Sequence, residues 1–309
     1  EHGGINVPSL VKDLLPDGKL HAFVNTHPHD DHLSGLKELR DVVTVEGVWH
    51  TGFEPGSKSG DQYKHLKSLV DDLTKSASDN VLEMDGSRTS QALLDAEVHF
   101  LAPAEHVKDD INGEDDAEKR CARIHEHCAV LRVGKVEGST ESWILITGDA
   151  DLVAFRDHIT EYHKDRLPAV VLDASHHGSR SFFKKAEEGE PYLDALEAID
   201  PTYVVISAPT VKESPHDHPH DDAVKLYTDH VGKPNVFHTG KDRESYFIDV
   251  YEDGTAGVMQ SDNGDLAATY GLDKEGDESD SGGGSGKSAS GPFIRPSRSS
   301  DEYKPREYA

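Results

Sequence analysis

Short apolar runs alternate with helical patterns along most of the chain. Apolar residues at helical spacing predict helices, whereas short continuous or alternating apolar runs predict buried strands. The predicted helices are 7–15, 33–39, 63–73 and 223–227. The predicted strands are 21–25, 42–49, 98–103, 124–133, 143–150, 169–173 and 201–207, followed by a closing hairpin of 236–240 and 246–251. Residues 109–119 are acidic and are predicted to be a solvated loop. This alternation of strands and helices predicts an α/β fold.

Metal-binding side chains are concentrated between the strand 21–25 and the helix 33–39. His27 and His29 alternate along an extended segment and can point at one ion, while Asp31 and His32 follow at the turn and can reach a second. Zinc accepts imidazole nitrogen and carboxylate oxygen as ligands. The stretch therefore predicts a metal site in an exposed loop that a rigid scaffold holds in place.

Further candidates lie at or near other predicted strands. Asp149 ends the strand 143–150, and the carboxyl ends of strands are where sheets present ligands. Asp151, two residues on, is a weaker candidate. His125 and His127 lie two apart on the strand 124–133 and would face the same side. His176 and His177 follow the strand 169–173 in a polar turn.

The segment His27-x-His29-x-Asp31-His32 resembles the HxHxDH signature of the metallo-β-lactamase-fold hydrolases. The resemblance covers about residues 3–260 and implies an αββα sandwich with two metals at one edge, although the first strands of that fold are expected to be missing here. It implies a first metal on His27, His29 and a histidine that we expect to be His127, with His125 as the alternative. It implies a second metal on Asp31, His32 and one of two neighbours, of which His176 is favoured over His177, with Asp149 bridging both ions.

The turn Ser175-His176-His177-Gly178-Ser179 is similar to the His-His-Gly-Ser motif of a subgroup that includes the soluble hydrolase domain of ComEC-type DNA-uptake proteins. A His-Pro pair precedes a helix in that subgroup, and His218-Pro219 matches it. The resemblance implies cleavage of a phosphodiester. Asp31 is then expected to orient the attacking hydroxide, and His177 and His218 are expected to donate to substrate oxygens.

This chain departs from that subgroup at residues 125–127. The relatives have Asn-rich residues where this chain has His-Glu-His, and they carry transmembrane segments. A third imidazole is more typical of the ester, thioester or lactone hydrolases of the superfamily, so a small-molecule hydrolase of that kind is the alternative. A second alternative is an inactive metal-binding partner module. Two zinc ions are the expected cofactors, and manganese is compatible with the carboxylates.

Composition limits the binding partners and the cellular compartment that we expect for this chain. The net charge of −27 argues against a broad basic face for nucleic acid, which stays a possible but unsupported partner. There is no run of about 18 apolar residues, so no membrane span is expected. Cys121 and Cys128 favour a reduced cytoplasmic pair over a disulfide. Residues 1–260 are predicted to form the hydrolase domain, and the Gly-, Ser- and charge-rich residues 261–309 a disordered tail.

Overall fold

The computed structural model describes residues 6–15, 17–55, 61–94, 96–137, 140–187, 189–242, 245–251 and 255–261. The predicted tail lies outside these residues except for its first position. Within them the helices are α1 (Val7–Leu14), α2 (Leu36–Val42), α3 (Tyr63–Ser76), α4 (Val107–Asn112), α5 (Ala117–Glu126), α6 (Leu152–Ala154), α7 (Thr160–Tyr162), α8 (Ser175–Gly178), α9 (Asp194–Ile199), α10 (Asp221–Val231) and α11 (Thr239–Asp242).

The strands form one large sheet and several small ones. They are β1 (Lys19–Leu20), β2 (Phe23–Val24), β3 (Thr44–Val45), β4 (Val48–His50), β5 (Val81–Glu83), β6 (Ser90–Leu93), β7 (Ala96–Ala102), β8 (Val130–Glu137), β9 (Thr140–Ile146), β10 (Val171–Asp173), β11 (Tyr203–Ile206), β12 (Val236–His238), β13 (Ser245–Val250) and β14 (Ala256–Ser261). The seven-stranded sheet has the order β12-β11-β10-β9-β8-β7-β6, and the three-stranded sheet has the order β2-β4-β5.

Strand direction changes at the centre of the large sheet. From β9 to β12 the pairs are parallel, with Val171 opposite both Ile144 and Tyr203. From β6 to β9 they are antiparallel. The three-stranded sheet is parallel throughout. β2, β9 and β10 each pair in parallel with a neighbour, and the His27 loop, Asp149 and the turn of His176 and His177 come after the carboxyl ends of these strands.

Three clusters of buried side chains define the layers. The first packs the large sheet against α6, α9 and α10, and the second packs the small sheets against α2 and α3. The third lies between the sheets, where Trp49 and Met84 meet Phe100 and Leu131. The rings of Trp49 and Phe100 meet edge to face with centroids 5.6 Å apart. The layer order is therefore the αββα sandwich that was expected.

The segment 107–126 differs from the prediction of a loop followed by a strand. It forms α4 and α5, and β8 begins only at Val130. The side chain of Asp116 accepts hydrogen bonds from the backbone N–H groups of Glu118 and Lys119, which caps α5. Ile111 and Ile124 are buried against Phe53, so distant packing fixes both helices.

The predicted closing hairpin is also wrong. β12 joins the large sheet as a parallel neighbour of β11, reached through α10, and β13 pairs instead with β14 in an antiparallel ribbon. Residues 252–254, between β13 and β14, lie outside the described part of the chain. In that described part, no helix is long and apolar enough to cross a membrane.

Substitution of Leu145 tests the packing of the sheet strand that leads to Asp149. Leu145 is fully buried in the cluster under the large sheet. We expect Leu145→Ala to lower the free energy of unfolding by about 2–5 kcal/mol, because it leaves a cavity. Leu94→Ala is the matched control, since that leucine is 76% exposed, and should change stability by less than about 0.5 kcal/mol. Urea unfolding measures both, and equal effects would contradict the assigned core.

Candidate metal centre

The loop after β2 carries the first set of candidate ligands. Asn25 is buried and its side-chain amide donates to the backbone carbonyl of His27 at 2.8 Å, which fixes the start of the loop. A 3₁₀ turn over Asp30–His32 follows. His27 is fully buried, whereas the side chain of Asp31 is 60% exposed. The loop therefore presents ligands both to the protein interior and to the open side of the site.

Asp149 reaches this loop because Gly148 allows a close approach. Gly148 has a φ of +49°, and a Cβ atom there would lie 2.7 Å from Cys128 Sγ and 2.8 Å from Thr26 Oγ1. Any larger residue would push β9 away from the His27 loop. The Gly148 carbonyl also accepts the backbone N–H of His176 at 2.9 Å, so the two strand ends are joined directly.

The turn after β10 is strained. His176 and His177 have left-handed backbone angles (φ 50° and 56°), a conformation that costs a residue with a side chain about 1–3 kcal/mol. Side-chain contacts hold both rings: His177 Nδ1 donates to the Ser207 carbonyl at 2.8 Å, and His176 Nδ1 lies 3.1 Å from Ser181 Oγ. In this backbone conformation the Nε2 atoms of both histidines face the Asp149 carboxylate, at 3.5 Å and 3.6 Å.

The structure brings the ligands into three overlapping groups, in each of which the candidate ligand atoms lie within 4.8 Å of one another. The groups are His27, His29 and His125; Asp31, His32, Asp149 and His177; and His125, Asp149 and His176. His125 Nε2 lies 3.0 Å from His29 Nδ1 in the first group. In the second, Asp149 Oδ1 lies 3.2 Å from His32 Nε2. The first and second groups together offer donors for two ions.

Unsatisfied buried atoms show that the residues fit metal ions. Within the described residues, His27 Nε2, His32 Nε2 and Asp149 Oδ1 are all buried without a hydrogen bond. A buried polar atom left without a partner costs free energy, so native proteins rarely leave several together. Imidazole nitrogen and carboxylate oxygen are donors that divalent cations of the first transition series accept. The arrangement satisfies these atoms when cations are bound.

Burial and mutual proximity set the protonation of the ligands. Burial, followed by the neighbouring His176, lowers the pKa of His125 to about 3, so its ring is neutral at neutral pH. Burial also lowers the pKa of His27 well below its usual value. Burial alone would raise the pKa of Asp149, but the ring of His32, whose Nε2 lies 3.2 Å from Asp149 Oδ1, and the other nearby histidines hold that pKa well below its ordinary value. Neutral imidazoles and an ionised carboxylate are the forms that bind metal.

The structure brings His125, and not the preferred His127, to His27 and His29. His125 lies in the last turn of α5 and its ring centroid is 4.7 Å from that of His29. His127 follows the helix and lies outside the three ligand groups. Burial, then Arg123, lowers the pKa of His127 to about 4. Because the two residues are not on one strand, their spacing does not place them on one face.

His177, and not the favoured His176, belongs to the second ligand group. His177 Nε2 lies 3.7 Å from Asp31 Oδ2 and belongs to the second group, for which His176 was favoured. His176 Nε2 lies 3.5 Å from Asp149 Oδ2, on the side of His125. Burial opposes charge on His177, but Asp31 and Asp149 outweigh it and raise its pKa to about 9.

His218 borders the centre without joining a ligand group. Its ring centroid is 4.9 Å from that of His176 and 6.5 Å from that of His177, and the side chain is half-buried. Burial, followed by His176, lowers its pKa to about 4. Asp151, the weaker candidate, instead caps α6 by accepting the N–H groups of Val153 and Ala154.

Sequence reasoning missed three residues beside the ligands. Burial raises the pKa of Asp173 to about 7, and its carboxyl faces the charges of His177 and Asp149. Its position at the end of an apolar strand, like that of Asp149, was a usable signal. Cys128 Sγ lies 3.4 Å from His27 Nδ1, and Cys121 Sγ lies 3.6 Å from His29 Nε2. The cysteines are not joined in a disulfide.

Comparisons with known proteins give distant likenesses. No protein-family model and no curated protein matches the chain. Among solved structures it is similar to CmlA, a diiron beta-hydroxylase from Streptomyces venezuelae, with 14% identity, a TM-score of 0.41, and coverage of 80% of this chain and 46% of that chain. It is also similar to a diphosphatase of the PhnP family, with 15% identity, a TM-score of 0.35, and coverage of 79% and 72%. This chain thus spans less than half the length of CmlA.

Paired substitutions test which histidine completes the first group. We expect His125→Ala to weaken binding of one divalent ion by more than about 100-fold, since even the loss of a residue that only supports a ligand costs about 10–100-fold. His127→Ala is the control and should leave metal content unchanged, because His127 lies outside the groups. Chelator competition with zinc measures both. If His127→Ala loses metal and His125→Ala does not, His127 is the third ligand of the first metal, as the sequence predicted.

Proposed function

We propose that this chain is a dinuclear metallohydrolase that cleaves a phosphodiester. The observation that carries the proposal is the position of the Asp149 carboxylate. One of its oxygens lies 3.2 Å from His32 Nε2 and the other lies 3.6 Å from His27 Nε2. A single buried carboxylate therefore borders both ligand groups, which is the arrangement that a bridging ligand requires.

In this proposal the two ligand groups hold one ion each. His27, His29 and His125 would hold the first ion, and Asp31, His32 and His177 would hold the second, with Asp149 shared. When bound, two divalent cations lower the pKa of a water molecule to near neutrality and stabilise negative charge on the reacting phosphoryl group. Zinc suits the imidazole-rich donors, and manganese is compatible with the carboxylates.

The chain's own residues then position the reactants. The exposed side chain of Asp31 stands at the open side of the centre and can accept a hydrogen bond from the attacking water. His218 stands next to the ligand histidines and can donate its ring N–H to a non-bridging substrate oxygen. Such a donor matters for a phosphodiester, because its transition state spreads negative charge over those oxygens.

The choice of a phosphodiester is supported by the Ser175-His176-His177-Gly178-Ser179 turn and by His218-Pro219, which resemble the hydrolase domain of ComEC-type proteins. A small-molecule ester, thioester or lactone hydrolase is the second candidate. The contact between His125 and His29 favours it, because this third imidazole stands where the phosphodiester-cleaving relatives have Asn-rich residues. An inactive metal-binding module would hold metal and turn over neither substrate class.

Asp149→Asn tests the shared carboxylate. We expect this variant to lose affinity for both ions, because a neutral amide oxygen compensates neither cation as a carboxylate does. Glu105→Gln is a control that makes the same type of change on an exposed side chain outside the ligand groups. Metal analysis after dialysis gives the stoichiometry. If Asp149→Asn retains close to two ions and full activity, the bridge is assigned wrongly.

His218→Ala tests the reaction class. We expect it to lower turnover of a phosphodiester by at least about tenfold while metal content stays constant, because a hydrogen-bond donor to the transition state is lost. Turnover of bis-p-nitrophenyl phosphate, a dinucleotide and a panel of lactones is measured with metal analysis on the same samples. His216→Ala is the matched control from the same loop, since His216 is exposed.

The wild-type protein decides between the two enzyme candidates in the same experiment. Cleavage of lactones but of neither phosphodiester, with zinc, manganese or cobalt, would replace the phosphodiester proposal with the second candidate. Two bound ions without turnover of either class would support the inactive module.

A further inference from the structure

Both cysteines of the chain contact histidines of the first ligand group. In each case the sulfur lies beside the ring nitrogen that faces away from the other ligands. Imidazole binds a metal through one nitrogen, and the other nitrogen then carries a proton that needs an acceptor. Carboxylates, backbone carbonyls and water are the usual acceptors, so two thiols in this position are a distinctive feature of this centre.

Cys128 stands behind His27. His27 Nε2 faces the Asp149 carboxylate at 3.6 Å, so Nδ1 points the other way, where Cys128 Sγ lies at 3.4 Å. Thr26 Oγ1, at 3.3 Å from Nδ1, is a second acceptor on the same side. The backbone N–H of Asp149 also donates to Cys128 Sγ at 3.3 Å. One fully buried sulfur therefore contacts both a first-group histidine and the shared aspartate.

Cys121 stands behind His29. His29 Nδ1 faces His125 Nε2 at 3.0 Å, and His29 Nε2 faces Cys121 Sγ at 3.6 Å. Cys121 and His125 are four residues apart on α5, so they lie on the same face of the helix and reach His29 together. The same helical turn thus supplies a ligand and a contact to the ring nitrogen behind another ligand.

We propose that Cys121 and Cys128 are positioning residues that accept the ring N–H of His29 and His27 and so fix which nitrogen each histidine presents to the first metal. The inference rests on the two-metal centre proposed above. Sulfur is a weak acceptor, but the contact needs only to favour one tautomer and one ring orientation. Among the described residues, neither sulfur belongs to a ligand group, which separates this role from direct coordination.

The test measures metal affinity in four variants: Cys121→Ala, Cys121→Ser, Cys128→Ala and Cys128→Ser. We expect each alanine variant to weaken binding of the first ion by about 10–100-fold and each serine variant to recover most of the loss, because a hydroxyl also accepts the ring N–H. Affinity is measured by chelator competition with zinc. Lys119→Ala, an exposed change on the same helix, is the control.

Cobalt substitution separates the positioning role from coordination. In the cobalt-loaded wild type we expect visible bands that shift in the alanine variants and no intense near-ultraviolet band from thiolate-to-cobalt charge transfer. Such a band, if lost in Cys121→Ala, would make the thiolate a ligand and overturn the inference. Wild-type affinity in both alanine variants would overturn it too, since it would show that the contacts do not support the histidines.

The outcomes also separate this inference from the proposed function. If the wild type binds no divalent ion, both fail together. If the wild type binds two ions and the alanine variants bind them equally well, only the role of the thiols fails. Cys121 is half-buried, so Cys121→Ala decides the question for His29 even if Cys128→Ala, at a fully buried position, does not fold.

Discussion

The rest of the centre depends on the burial of the Asp149 carboxylate. A carboxylate withdrawn from water needs compensating charge or hydrogen bonds, and two of the imidazoles around Asp149, those of His27 and His125, are kept neutral by burial. Asp149 Oδ1 and the facing nitrogens of His27 and His32 have no hydrogen bond to any part of the chain that the structure describes. Divalent cations held by these residues would satisfy the carboxylate and the ring nitrogens together. This donor set is the physical basis of the proposed metal centre.

The site requires unfavourable backbone conformations at three of its residues. Two successive histidines, His176 and His177, are left-handed, and Gly148 is held where no side chain fits. Contacts to Ser181 and to the Ser207 carbonyl hold the rings, and the Gly148 carbonyl holds the His176 N–H. Strain of this kind persists only where surrounding contacts determine the conformation. The contacts around the polar turn after β10 thus determine its conformation, against its local sequence preference.

Sequence predicted the parts of the site that local patterns encode. The loop at His27 and the strand-end Asp149 follow apolar runs, and their positions were read directly from those runs. The region around His125 was misread because residues 124–133 alternate like a strand, whereas the Asp116 cap and the packing of Ile124 against Phe53 make its beginning helical. Phe53 is far from Ile124 in the chain, so a local pattern cannot report that contact.

Adjacent histidines posed a different difficulty. Helical and strand periodicities assign a face to each residue, but neither applies to two consecutive left-handed residues such as His176 and His177. The expected preference for His176 in the second group had no geometric basis in the sequence. The cysteines were missed for a related reason: their partners, His29 and His27, lie about a hundred residues earlier, and only the folded chain brings the sulfur atoms to the ring nitrogens.

The ligands also join the two sheets. His27 and His32 follow β2 of the small sheet, whereas Asp149 follows β9 of the large sheet. An ion that binds only the folded state stabilises it by about 2.7 kcal/mol at a concentration one hundred times its dissociation constant. Because Cys128 contacts both His27 and Asp149, it lies at this junction of the sheets. In the proposed centre, metal affinity and the packing of one sheet on the other therefore depend on the same few atoms. Gly148 is constrained at this junction too, because a Cβ atom there would lie 2.7 Å from Cys128 Sγ.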